Sequence, residues 1–363
     1  MTDAASSTKQ AGVEFHSVTV AAIEPLTSDA VAVSFEIPSE IAHVFEHIPG
    51  QHLILRATID GEDVRRSYSI CSAPGTTRPT VGIKHLPGGV FSTYVHERLK
   101  VGDAIEVTQP TGEFTLTPSR SNRNHYVAIG AGSGITPILS MIRSVLAFEP
   151  SSMFTLVYGN KDGGSVMFLD ELDALKGQHP SRFVLLHVLS REFHEVELFE
   201  GRIDAQKLQR MLKTIIDPAD VAGWYLCGPR GMVQSATEVL TANGVSVDDI
   251  HDELFYAGEV TEATVAQDDA EGATVRFTLR GRTSTVTVAM DGAPILDHVL
   301  AIRPDGPFSC RSGACASCRA QVTSGEVRMD KNWSLSKEEV SAGQILTCQS
   351  HPVSEVVELT YDV

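Results

Sequence analysis

The clearest chemistry in the sequence belongs to four cysteines. Cys310, Cys315 and Cys318 stand in the run Cys310-Arg311-Ser312-Gly313-Ala314-Cys315-Ala316-Ser317-Cys318, and Cys348 follows at a distance. The spacing C-x4-C-x2-C, then a long gap, then C, is the plant-type pattern in which four thiolates hold a [2Fe–2S] cluster. One loop must fold around the inorganic core, so small residues such as Ser312, Gly313, Ala314 and Ala316 let the backbone approach and aim N–H groups at sulfur. A structural zinc site would also use four cysteines, but it usually pairs one C-x2-C knuckle with a second, and Cys348 stands alone. Disulfides between neighbouring loop cysteines fit poorly with a chain that shows no export signal.

A second group of motifs suits flavin and nucleotide. Arg66-Ser67-Tyr68-Ser69 ends a strand, offering a phosphate partner, a flat amphipathic ring and a hydroxyl. Gly88-Gly89-Val90-Phe91-Ser92-Thr93 leads into a helix, which makes a phosphate cradle by geometry and dipole. Alone, each reads more simply as a strand arginine or a surface turn; their occurrence in one domain strengthens both. Gly130-Ala131-Gly132-Ser133-Gly134-Ile135-Thr136-Pro137 follows a strand and opens a helix, with Thr136 expected as N-cap and Pro137 at the first helical position. It is G-x-G-x-G and lacks the G-x-G-x-x-G fingerprint of Rossmann dinucleotide sites. Ser190-Arg191 lies past a strand's carboxyl end, where an arginine beside a hydroxyl favours a 2′-phosphate and so NADPH over NADH; a plain surface arginine is the alternative. Cys227, before Gly228-Pro229, either brings a thiol beside a nicotinamide or is a core residue. Cys71 reads as core, and Phe255 as a packing residue. The histidines show no metal spacing, and no hydrolytic triad is evident.

The elements that position these residues divide the chain into domains, as 363 residues exceed one ordinary core. Residues 14–120 show short alternating runs broken by turns, which predicts an antiparallel β-barrel or sandwich with one helix over Phe91–Leu99. Across 121–256 buried strands alternate with helices: strands at Tyr126–Gly130, Phe154–Tyr158, Phe183–Leu189 and Trp224–Cys227, helices at Ile138–Leu146, Phe168–Leu175, Asp204–Leu212 and Val233–Ala242. This is an α/β pattern with a parallel sheet. Residues 257–272 hold five acidic residues and no basic one, and read as a flexible linker. Residues 273–363 resume alternation around a short helix at Ile295–Ile302, an α+β, β-grasp-like pattern. Residues 1–13 read as a loose tail.

Net charge is −17, with −11 before the linker, −5 in it and −1 after it. That balance argues against nucleic acid. No apolar run approaches the roughly 18 residues that cross a bilayer, so no membrane partner is expected. With four of six cysteines assigned to the cluster, a cytoplasmic location is expected.

Together, R-x-Y-S, the Gly-Gly turn, G-x-G-x-G-I-T-P, C-G-P and the cluster pattern resemble the ferredoxin–NADP reductase superfamily with a fused C-terminal ferredoxin. Several stretches resemble the reductase subunits of bacterial phenylacetyl-CoA 1,2-epoxidases: Phe15–Ala22, Pro49–Leu53, Arg65–Cys71, Tyr126–Pro137, Thr155–Asn160 and Gly201–Asp204. The resemblance implies that Arg66, Tyr68 and Ser69 bind FAD, with Gly89 and Ser92 near its pyrophosphate. It implies that Gly132 and Thr136 line the nicotinamide nucleotide site, that Ser190 and Arg191 meet the 2′-phosphate, that Cys227 approaches the nicotinamide and that Phe255 flanks the flavin. The implied activity passes electrons from NADPH to FAD, to the [2Fe–2S] centre and then to an oxygenase component, here an epoxidase of phenylacetate degradation. Reductases of ketosteroid and ring-hydroxylating oxygenases share these motifs and are alternatives, as are a stand-alone NAD(P)H:acceptor oxidoreductase and a redox sensor.

Overall fold

The computed structural model describes residues 14–255 and 272–362. The tail 1–13, and all of the acidic segment 257–272 except Gly272, lie outside the described residues. The described chain falls into two compact units, one from His16 to Phe255 and one from Gly272 to Asp362. Among the described residues no helix is long and apolar enough to cross a membrane.

The first unit begins with β1 (Phe15–Thr27), β2 (Ala30–Glu36), β3 (His52–Ile59), β4 (Glu62–Ser69), β5 (Thr80–Lys84), α1 (Val90–Glu97) and β6 (Ala104–Thr108). Their order in the sheet is β4-β3-β6-β1-β2-β5, and a bridge between Ile70 and Val81 joins the two edges, so the sheet closes as a barrel. Alternation sends Leu53 and Leu55 inward with Val20, Phe35, Val81 and Ile83. Helix α1 covers one end, placing Phe91 and Val95, one turn apart, in that core.

The chain then changes period: β7 (His125–Ala131), α2 (Ile135–Phe148), β8 (Met153–Asn160), α3 (Leu169–Gln178), β9 (Phe183–Leu189), α4 (Ala205–Thr214), β10 (Gly223–Gly228), α5 (Arg230–Ala242) and β11 (Ile250–Leu254). The sheet is parallel with order β11-β10-β7-β8-β9. Both faces are covered, which is why β7 reads as a continuous apolar run: Tyr126 and Ala128 enter one core, Val127 and Ile129 the other. Two expectations need correction. Helix α2 starts at Ile135, so Thr136 is inside it, 1% exposed, and its hydroxyl donates to the Ser133 carbonyl at 3.0 Å. It is therefore not the N-cap; the Gly132–Gly134 turn runs straight into the helix. The fifth strand, β11, was not anticipated, because Ile-His-Asp-Glu-Leu at a sheet edge lacks apolar alternation.

Barrel and parallel sheet share a core in which Ala30, Ala32, Cys71, Phe114 and Leu116 pack with Tyr126, Ile138 and Met141. Polar ties reinforce it: Ser140 Oγ donates to the Ser72 carbonyl at 2.7 Å, and Arg143 reaches both the Cys71 carbonyl and the Glu171 carboxylate. The crevice between barrel and sheet is thus set within a single unit.

The second unit contains β12 (Ala273–Leu279), β13 (Arg282–Val288), α6 (Ile295–Ile302), β14 (Arg319–Ser324), β15 (Val327–Met329), α7 (Lys337–Ser341), β16 (Gln344–Leu346), β17 (Ser350–Pro352) and β18 (Val356–Thr360). The main sheet, β13-β12-β18-β14-β16, is mixed, with β12 and β18 parallel, and β15 pairs with β17 apart from it. Ile295 and Val299 of α6 pack on the main sheet, as a β-grasp requires. A smaller core of Leu296, Phe308, Leu335 and Leu346 encloses Cys318 and Cys348.

Candidate functional site

The strand order reverses between β7 and β10, and open α/β sheets bind ligands outside the carboxyl ends of strands at such a point. Gly130–Gly134 leaves β7 there, and Cys227-Gly228 ends β10. A Cβ on Gly134 would stand 2.2 Å from the Cys227 carbonyl oxygen, so the loop passes β10 at a distance only glycine permits. Gly132 has φ +54 and nothing within 4 Å of where a Cβ would lie, leaving an open backbone surface for a nucleotide. The Tyr158 hydroxyl donates to the Gly132 carbonyl at 2.9 Å and braces the loop from β8. Farther along this edge the Ser190 and Arg191 amides donate to the Asn160 and Lys161 carbonyls at 2.9 and 2.7 Å, holding the exposed Arg191 just beyond β9. Cys227 is fully buried and burial pushes its thiol well up, so it is neutral at the crevice floor.

The barrel supplies the opposite wall. Tyr68 stands on β4 with its ring 5.8 Å from Phe91, and burial raises its phenol. Arg66 lies two residues back on the same face, its guanidinium donating to the Arg65 carbonyl at 2.7 Å. Gly89 caps α1, and a Cβ there would meet Ser92 Oγ at 2.8 Å and the Leu86 carbonyl at 3.0 Å. The Ser92 hydroxyl accepts from the Leu86 amide at 3.1 Å and donates to the Gly89 carbonyl at 3.1 Å. It shapes the turn; the donors available to a pyrophosphate are the backbone N–H groups of the first turn of α1. A flat ring, a cation and a cradle that excludes a Cβ fit FAD.

Sequence reasoning passed over Glu253. Strand β11 carries it to the edge of the crevice, where its Oε2 accepts from Ser69 Oγ at 3.1 Å and its Oε1 lies 3.8 Å from His52 Nδ1. Its partner in the β10–β11 register is Cys227. Burial is the largest influence on the Glu253 carboxyl, raising it to about 7 against the lowering effect of Ser69, with Asp252 adding to the rise. The one sequence signal was a carboxylate two residues before Phe255. Phe255 itself follows β11, donates its amide to the Gly228 carbonyl at 3.3 Å and packs half-buried on the shared core. The crevice therefore gathers Tyr68, Ser69, Gly132, Cys227, Glu253 and Phe255 from segments far apart in sequence.

The cysteines of the second unit lie on the loop from Cys310 to Cys318 and on the Thr347–Gln349 turn. None of the six cysteines is in a disulfide. Arg311, Gly313 and Ala316 take φ values of +53, +80 and +52, which wrap the loop. The Ser312 amide lies 3.4 Å from Cys310 Sγ and the Cys310 amide 3.5 Å from Cys315 Sγ. Cys348 is delivered by Thr347, whose amide and hydroxyl both donate to the Cys318 carbonyl, at 3.1 and 3.0 Å. The Gln349 side chain closes the loop on the Arg311 carbonyl at 2.9 Å. The thiols interact as two pairs, Cys310 with Cys315 and Cys318 with Cys348. The Cys315 hydrogen bond draws Cys310 down to about 5 against burial, while Cys310 pushes Cys315 up. Among the described residues no three His, Cys, Asp or Glu side chains converge as for a single ion. Two thiol pairs with backbone N–H groups aimed at sulfur fit a two-iron centre.

Comparison with known proteins agrees with this division. The oxidoreductase FAD-binding domain model matches residues 17–116, the oxidoreductase NAD-binding domain model 128–238 and the 2Fe-2S iron-sulfur cluster binding domain model 277–353. The chain is 39% identical over 350 residues to a subunit of the 1,2-phenylacetyl-CoA epoxidase of Escherichia coli strain K12, covering 96% of this chain and 98% of that one. It is 34% identical over 355 residues to the ferredoxin reductase component of 3-ketosteroid-9-alpha-monooxygenase of Mycobacterium tuberculosis, covering 94% and 95%. Among solved structures, phthalate dioxygenase reductase aligns with a TM-score of 0.60 at 25% identity, over 95% of this chain and 98% of that one. With a flavin barrel, a nicotinamide-nucleotide sheet and a plant-type ferredoxin in one polypeptide, the chain belongs to the ferredoxin–NADP reductase superfamily, in the branch of oxygenase reductase components that carry a fused C-terminal [2Fe–2S] domain.

Proposed function

We propose that the protein is the NADPH-dependent reductase of a phenylacetyl-CoA epoxidase. The observation that carries this reading is the 39% identity to a phenylacetyl-CoA epoxidase subunit along 96% of the chain, joined to residues that suit FAD and a nicotinamide nucleotide in the first unit and an iron–sulfur cluster in the second. FAD, when bound, converts a two-electron hydride donor into a source of single electrons for iron and sulfur. The protein's part is placement. Arg66 and the first turn of α1 would hold the phosphates of FAD, and Tyr68 and Phe255 would cover its ring. Gly132 would line the nucleotide path with Cys227 at its apolar floor, while Thr136, 1% exposed and bonded to the Ser133 carbonyl, braces the loop from within. Ser190 and Arg191 meet a 2′-phosphate: a guanidinium and a hydroxyl held at the sheet edge bind a phosphate dianion more strongly than a ribose hydroxyl. Ser69 and Glu253 can hold a proton between hydroxyl and carboxylate, which would be available to a flavin bound in the crevice. Cys310, Cys315, Cys318 and Cys348 would ligate the cluster, which would supply single electrons to the acceptor.

The test is reconstitution. The purified chain, NADPH and the oxygenase component of a phenylacetyl-CoA epoxidase should form epoxide with NADPH consumption coupled to it. Coupled turnover with a ketosteroid oxygenase and none with the epoxidase would reassign the partner.

A further inference from the structure

His52 has been given no role above beyond its place in the Pro49–Leu53 stretch, yet it is buried beside Glu253. It starts β3 and its Cα partner across the β3–β4 ladder is Ser69, so the two residues that flank Glu253 are opposite each other on one barrel surface. The ring is held tightly. The His52 amide donates to the Thr111 carbonyl at 2.8 Å, and the Thr111 amide returns a bond to the His52 carbonyl at 3.0 Å. Behind the ring lies Gly112, with φ +120; a Cβ there would sit 2.9 Å from Nδ1. The His52 side chain is 8% exposed, and Nε2 is buried with no hydrogen-bond partner. Nδ1, in contrast, lies 3.8 Å from Glu253 Oε1, wider than a formed hydrogen bond, and contacts in such clefts often tighten only when the nucleotide binds.

We propose that His52 is a positioning residue for Glu253: a neutral imidazole, wedged between Gly112 and Ser69, that presents Nδ1–H to the carboxylate and favours its ionised form. This rests on the reading of Ser69 and Glu253 as the proton-holding pair. Burial lowers the ring to about 4, which keeps it uncharged at neutral pH. The ionisable groups that face Glu253 are His52 on β3, the Cys227 thiol on β10 and Asp252 beside it on β11; Ser69 on β4 adds a hydroxyl. Cys227 is neutral and Asp252 raises the Glu253 carboxyl, so Ser69 and His52 are the groups placed to donate to the carboxylate. An imidazole with one N–H can donate to the ionised Glu253 carboxylate only as the Nδ1–H tautomer.

The test is a pH titration of the Glu253 carboxyl C=O stretch by infrared difference spectroscopy on the full-length, cofactor-loaded protein, with Glu253→Gln locating the band. It needs no electron acceptor and no turnover, so its failure is separate from failure of the proposed function. His52→Phe keeps the bulk and removes the donor, and should raise the midpoint by about half a unit or more. His52→Asn places an amide N–H near the Nδ1 position and should restore most of that shift. An unchanged midpoint in His52→Phe, or equal shifts in both variants, would overturn the proposal. Nitrogen NMR of the unsubstituted protein supplies a reading that no variant's folding can obscure. His52 should remain a neutral Nδ1–H tautomer from about pH 5.5 to 8; an imidazolium or the Nε2–H tautomer would also overturn it.

Discussion

The Ser69 hydroxyl on the barrel donates to the Glu253 carboxylate on the parallel sheet at 3.1 Å, although 184 residues separate them. Each reaches the other from a strand end, and only the packing of the two sheets brings them together. A buried carboxyl near 7 hydrogen-bonded to a hydroxyl is the pair that the proposed function reads as a proton store. Glu253→Gln and Ser69→Ala should therefore slow flavin bleaching by NADPH by roughly 10²-fold, the lower range for general acid–base catalysis, with little change in nucleotide affinity. Stopped-flow measurement decides this; an unchanged bleaching rate removes the proton role.

The same carboxyl affects stability. Its folded value of about 7 lies above the ordinary 4.5, so the proton favours the fold. That contribution is complete below 4.5 and is lost as pH rises through 7, amounting to about 3 kcal/mol at most. His52 acts in the opposite sense: its ring is lowered from 6.5 to about 4, so its contribution is present above 6.5 and lost as pH falls through 4. Glu253→Gln removes the first effect alone. Relative to the unsubstituted protein it should gain stability between about pH 5 and 8, seen as a rising difference in urea midpoint.

Cys315→Ser should abolish transfer to the oxygenase and retain NADPH-dependent reduction of a dye that accepts electrons from flavin. The cysteine belongs to the second unit, and the crevice to the first, so the flavin steps do not need it. Loss of both activities contradicts that division.

Arg191 is exposed just past β9 and held there by its own amide. Arg191→Ala should raise the Michaelis constant for NADPH at least about tenfold, the loss of one charge-assisted phosphate contact, and that for NADH far less. Equal changes for both nucleotides remove the 2′-phosphate assignment.

Gly134→Ala tests the close pass of the loop over β10. With a Cβ 2.2 Å from the Cys227 carbonyl, the loop must lift, at a cost of about 1–3 kcal/mol in stability. Nucleotide binding should weaken with it, as calorimetric titration would record. A variant of native stability and affinity would mean the glycine is not required there.

What the sequence determined by itself was local. The iron–sulfur domain was legible because three of its four cysteines lie in one loop whose spacing is the chemistry. The flavin turn and the glycine loop were legible because phosphate binding needs particular residues in succession. The alternation of the barrel and the βα pattern of the nucleotide domain follow from periods of burial, and both appeared where the strands and helices are. Thr136 was misplaced at the helix start because a Thr-Pro pair resembles a cap, whereas the 3-10 turn over Gly132–Gly134 starts the helix earlier. Tertiary structure alone decided the place of Glu253 and His52. The polar edge strand β11 has no burial period to read, and takes its place by its parallel ladder with β10. Which carboxylate meets which hydroxyl, and which imidazole stands beside them, depends on how barrel and sheet pack, a relation between distant segments that no local pattern encodes.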